Sequence, residues 1–116
     1  MTAQASDAII VFMTAANTAE ASHIAGVLVE KNVAACVQIL PEMQSVYRWK
    51  GQIERQAEIL MIAKTVKSKF AELETQVRAV HSYETPEIVA TPITSGSTPY
   101  LEWLSASVES SRRSEL

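Results

Sequence analysis

Apolar and polar positions follow two rhythms along this chain, and the changes of rhythm mark its elements. Ala8 to Met13 is an unbroken apolar run rich in β-branched side chains, the pattern of a central strand buried on both faces. Asn17 with Glu20 has the spacing of a capping box, and Ala21, Ile24, Ala25 and Leu28 then form a stripe of helical period. The pattern predicts a helix to about Lys31, closed by Asn32, and a second apolar strand from Ala34 to Leu40. Pro41 cannot donate to a sheet ladder, so it marks a bulge or an edge in a strand that resumes at Gln44 and continues to Trp49. Lys50-Gly51 supplies the glycine that a hairpin turn needs, and Gln52 to Thr65 returns as a third strand, polar at first and apolar from Ile59.

Phe70, Leu73, Val77 and Val80 share one face of a second helix, with Ser68 as its expected N-cap. Ile88 to Ile93 predicts a fourth strand. Thr98-Pro99 opens a short third helix whose apolar side is Tyr100, Leu101, Leu104 and Val108. The order is βαβ, hairpin, βαβ and a C-terminal helix. Right-handed crossovers then put both main helices on one face of an antiparallel sheet, which is the ferredoxin-like α+β sandwich with an extended hairpin. Residues 1–116 read as one domain, with 1–7 and 109–116 expected as loose tails. A two-layer sandwich of this size leaves one sheet face and its long hairpin uncovered, so self-assembly is expected.

Composition narrows the partners. A chain of 116 residues, 47% hydrophobic and 20% charged, is long enough for a single core and too short for separate cofactor and substrate domains. Its net charge of -3 and pI near 5.4 lack the clustered cations that nucleic acid or an anionic membrane requires. Cys36 is the only cysteine, so no disulfide forms within the chain and a reducing, cytoplasmic setting is expected. The apolar run after Asp7 lacks the positive flank of a signal peptide, and no run approaches the roughly 20 residues that span a bilayer.

Two blocks carry candidate chemistry. His81-Ser82-Tyr83-Glu84-Thr85-Pro86-Glu87 places an imidazole, a phenol and two carboxylates on a helix-to-strand connection. Tyr47-Arg48-Trp49-Lys50-Gly51 puts one of two tryptophans between cations at the hairpin tip. His81 reads either as a capping histidine at a helix end or as a metal ligand, since imidazole is the commonest ligand for copper and zinc. Cys36 reads either as a small buried hydrophobe or as a thiolate donor. The aromatics of the hairpin read as interface packing rather than as base-stacking platforms. His23 has no company of that kind and reads as a surface or interface histidine. No phosphate-cradling glycine loop, HExxH, CxxC or nucleophile elbow is present, so an enzyme is not expected.

Ala34-Ala35-Cys36-Val37, Tyr47-x-Trp49-x-Gly51-x-Ile53, Ala63-Lys64-Thr65 and His81 to Glu87 together resemble the CutA divalent-cation tolerance proteins, over about Ile9 to Val108. The resemblance implies a ferredoxin-like protomer assembled as a tight homotrimer, PII-like in build and associated with tolerance to copper and other divalent ions. It also implies His81, Cys36 and Glu84 as metal candidates and Tyr47, Trp49, Lys64, Tyr83 and Glu87 as cleft residues. Ser82 stands where many relatives carry proline.

The function expected is therefore a non-catalytic, copper- or other divalent-cation-binding homotrimer with its site between subunits. Binding is expected to be weak, unnecessary for folding, and dominated by His81 at neutral pH. A small-molecule-sensing signalling trimer and a partner-anchoring structural trimer are the alternatives. No nucleic acid or membrane insertion is expected, and the sequence names no other protein partner.

Overall fold

The computed structural model describes residues 7–109, so the expected tails lie almost wholly outside the described residues. Its elements are β1 (Ala8–Ala15), α1 (Thr18–Glu30), β2 (Cys36–Ile39), β3 (Met43–Trp49), β4 (Gln52–Val66), α2 (Phe70–Val80), β5 (Ile88–Pro92) and α3 (Thr98–Ser107). Every strand pairing is antiparallel, in the order β2-β4-β1-β5, with β3 pairing the outer half of β4. β2 and β3 are successive partners of one long β4, interrupted around Pro41, as the missing donor there requires. This is the ferredoxin-like sheet with an extended hairpin.

The pleat sends alternate side chains to opposite faces. Val11, Met13, Ile59, Met61 and Ala63 face α1 and α2 and meet Ala21, Ile24, Leu28, Leu73 and Val77 in the main core. On the other face α3 covers only one end, where Leu101, Leu104 and Val108 pack with Ala8 and Ala35. Over the remainder of that face, where Phe12, Leu60 and Ile62 are half-buried, no helix lies among the described residues.

Capping follows the local chemistry. Asn17 Oδ1 accepts the Glu20 N–H at 2.8 Å, as the spacing predicted, while Glu20 Oε1 reaches back to the N–H of Ala16 at 2.9 Å rather than to Asn17 itself. Asn32 ends α1 with φ 60°, the left-handed conformation that asparagine tolerates. The hairpin turn needs positive φ at both central positions, and Lys50 (51°) and Gly51 (81°) supply it. Ser68 is a correction. It sits inside a 3₁₀ turn, Lys67–Lys69, so α2 starts behind Lys69 without a side-chain cap.

Candidate functional site

His81 follows the last residue of α2 with extended backbone (φ -84°, ψ 143°), which turns its ring back under β1. β5 begins opposite Met13, so Thr14 and Ala15 run past its end. His81 Nε2–H fills that gap by donating to the Thr14 carbonyl at 2.7 Å, and Nδ1 accepts the N–H of Tyr83 at 3.0 Å. These two bonds fix the neutral Nε2–H tautomer, and the side chain is 0% exposed. Neither ring nitrogen retains a free lone pair, so the reading of His81 as a dominant copper ligand yields to the reading as a tie between α2 and β1.

Glu20 completes this tie. Its Oε2 accepts the Ser82 N–H at 2.6 Å and lies 3.8 Å from His81 Nδ1. A proline at position 82 would lack that N–H. Burial pushes the Glu20 carboxyl up, but bonds from the Ala16 N–H and from the Ser82 hydroxyl and N–H hold it below the usual carboxylate range.

Tyr83 carries the connection into a groove. Its ring tilts against His81 at 4.7 Å between centroids, and its hydroxyl donates to Glu58 Oε2 at 2.7 Å. Glu58 is 6% exposed, a carboxylate at the boundary between the polar and apolar halves of β4. Desolvation, then the bond to Glu58, holds the Tyr83 phenol well above its ordinary value. On the hairpin, register places Ser45 against Gln56, Tyr47 against Glu54 and Trp49 against Gln52, all on one face, and the Tyr47 hydroxyl donates to Gln56 Oε1 at 2.8 Å. Between this hairpin face and the Tyr83–Glu87 connection lies a hollow of about 770 Å³, lined by Tyr47, Trp49, Glu54, Glu58, Tyr83 and Glu87 among others.

The groove gathers Tyr47, Trp49, Tyr83, Glu84 and Glu87 within one chain, where the family resemblance had implied a cleft between subunits. It does not include Lys64 or Cys36. Lys64 pairs with Cys36 in the sheet and donates to Gln38 Oε1, and the Cys36 thiol lies 3.8 Å from the Tyr100 hydroxyl under α3. Along β4 that position is about 20 Å from Glu58, at the strand rise of about 3.3 Å per residue. Within one chain, His81, Cys36 and Glu84 therefore do not form a shared metal set. Among the described residues, no three His, Cys, Asp or Glu side chains converge on a metal position. His23 is exposed on α1. Glu54, Gln56 and Glu58 were not anticipated in the site; their signal was the alternation of polar residues that continues the outward face of β4 up to its apolar half.

Taken together, these features define a ferredoxin-like protomer that carries an acidic, phenol-lined groove at the base of a projecting hairpin. The chain belongs to the CutA family: the family model described as "CutA1 divalent ion tolerance protein" matches residues 9–107. Protein CutA of Homo sapiens is 44% identical over 99 residues, covering 85% of this chain and 55% of that protein. The divalent-cation tolerance protein CutA of Thermus thermophilus is 43% identical over 95 residues, covering 82% of this chain and 92% of the relative. The chain thus spans about half the length of the human relative and nearly all of the bacterial one. Among solved structures, the T. thermophilus protein aligns with a TM-score of 0.86 at 40% identity, covering 88% of this chain and 99% of that one. CutA1 from Oryza sativa aligns at 0.87 and 38% identity, covering 91% and 98%.

Proposed function

We propose that this protein is a non-catalytic, homotrimeric divalent-cation tolerance protein that takes up copper as its cargo through the acidic groove. The observation that carries the reading is the grouping of Glu54, Glu58, Glu84 and Glu87 in one hollow of a chain belonging to the CutA family. Four carboxylates attract a dication, and the affinity order of first-row ions favours copper over its neighbours at oxygen donors of this kind. Because no three His, Cys, Asp or Glu donors converge among the described residues of one copy, the ion is held loosely or is completed by a donor from a second copy.

Assembly is supported by what one copy leaves bare. Val46 (51% exposed) and Ile53 (56%) alternate along the hairpin with Tyr47 and Trp49 and take the other face of its pleat, with Val46 also at the border of the hollow, and Val89 (52%) lies on the edge strand β5. Apolar side chains along a projecting ribbon and an open sheet edge are the features that a second copy covers. Membership of the CutA family supports the reading of that assembly as a PII-like trimer. The non-catalytic reading rests on His81, whose buried, doubly bonded ring offers the groove no acid or base. A cytoplasmic setting is supported by the single half-buried cysteine. No helix among the described residues is long and apolar enough to cross a membrane.

Calorimetric titration with Cu(II) against a competing chelator tests the cargo reading. Glu84→Gln with Glu87→Gln is expected to weaken uptake severalfold, while Cys36→Ser and His23→Ala leave it unchanged. Uptake lost in Cys36→Ser and kept in the glutamine variant would refute the groove.

A further inference from the structure

The β3–β4 hairpin has two faces of opposite character. Tyr47, Trp49 and Glu54 stand on the groove side. Arg48, Ile53 and Arg55 take the other side of the pleat, and all three are exposed. Register sets Arg48 against Ile53 and Val46 against Arg55, so the two arginines occupy diagonal positions about 7–8 Å apart, each with an aliphatic side chain beside it. Neither guanidinium has an ion-pair or hydrogen-bond partner among the described residues.

Across the pleat the balance is reversed. Glu84 and Glu87 are exposed on the connection from α2 to β5, and their carboxylates also lack a partner among the described residues. Three residues of chain keep them within about 11 Å of each other, a spacing that the two arginines match. Glu58 shares its side of β4 with Leu60 and Ile62, so the hollow runs on into the half-buried apolar face of the sheet. Alternation along the hairpin turns Arg48 and Arg55 away from that hollow, so one chain carries both halves of a complementary contact and does not join them.

We propose that the back of the hairpin docks over the hollow of a second copy, with Arg48 and Arg55 on Glu84 and Glu87 of the partner subunit and Ile53 on its open apolar face. Guanidinium and carboxylate pair in a planar, directional way, and a carboxylate has about four acceptor sites, so each glutamate keeps some for a cation inside the hollow. The two surfaces differ, so the contact is head to tail, and around a closed ring each copy gives its hairpin once and receives one once. A free acidic peptide would meet the arginines but leave the glutamates and the open sheet face bare, whereas a second copy answers all three. The inference rests on the reading of this protein as a homo-oligomer and names the surfaces that join it.

The test uses Arg48→Glu with Arg55→Glu and Glu84→Arg with Glu87→Arg, each pair alone and both combined in one chain. Light scattering over a dilution series gives the mass, and circular dichroism checks the fold. Each reversed pair sets like charges together and is expected to raise the dissociation constant at least about tenfold. The combined chain is expected to regain the parent's mass, because opposite charges face each other again with their signs exchanged. Where a reversed pair fails to fold, glutamine at the same positions replaces it, and both pairs neutralised together should then cost no more than either alone; a summed loss overturns the inference. Reversed pairs that keep the parent's dissociation constant, or a combined chain no tighter than either pair, overturn this inference alone. A parent that is monomeric at micromolar concentration overturns it together with the assembly reading.

Discussion

His81 Nε2 lies 2.7 Å from the carbonyl oxygen of Thr14, a residue 67 positions earlier in the chain. That bond, with Tyr83 N–H on the other ring nitrogen, makes the imidazole a joint between α2, β1 and the turn that aims Tyr83 into the groove.

His81→Ala is therefore expected to act on stability first. It leaves the Thr14 carbonyl and the Tyr83 N–H unpaired in a buried setting, a loss of about 2–4 kcal/mol by the usual cost of broken buried bonds. Thermal unfolding checks this. Where the variant folds, its copper uptake should match the parent's.

Glu20 gives the fold a pH-dependent component of known sign. Its carboxyl is held below the usual range in the folded chain, so the unfolded chain binds the proton more readily and the contribution is complete above the ordinary carboxylate value. It is lost as pH falls through the folded value. Glu20→Gln should be less stable than the parent at pH 7 by about 1 kcal/mol, the scale of a lost helix cap, and the gap should close below about pH 4. Chemical denaturation at a series of pH values measures it; a gap that widens in acid contradicts the account.

The two faces of the hairpin should separate by mutation. Val46 and Ile53 lie on the face opposite Tyr47 and Trp49. Val46→Asp with Ile53→Asp is expected to dissociate the assembly, since each buried aliphatic contributes about 1.5–3 kcal/mol. Light scattering would report the monomer mass, and parent unfolding would depend on concentration. A parent that is monomeric at micromolar concentration ends the trimer reading.

The elements were legible in the sequence because each advertises a period: the apolar run of β1, the stripe of α1, and the turn at Lys50-Gly51 all stand where the pattern put them. Ser68 misled because a 3₁₀ turn intervenes between β4 and α2, and such turns have no period of their own. The site was half legible. Tyr47, Trp49, Tyr83, Glu84 and Glu87 fall together because two distinctive blocks lie at the ends of elements that the fold makes neighbours. The role of His81 was not legible, because its partners Thr14 and Glu20 are ordinary residues far away in the chain. Glu58 was hidden by the apolar run that starts beside it.

The central claim is that divalent cargo meets this protein at the groove carboxylates rather than at His81 or Cys36. Diffraction at the copper absorption edge, from crystals soaked with substoichiometric Cu(II), tests it most directly. The account predicts an anomalous peak within the hollow bordered by Glu58, Glu84 and Glu87. A peak on the Cys36 sulfur or on a His81 ring released from Thr14, with none in the groove, would contradict it.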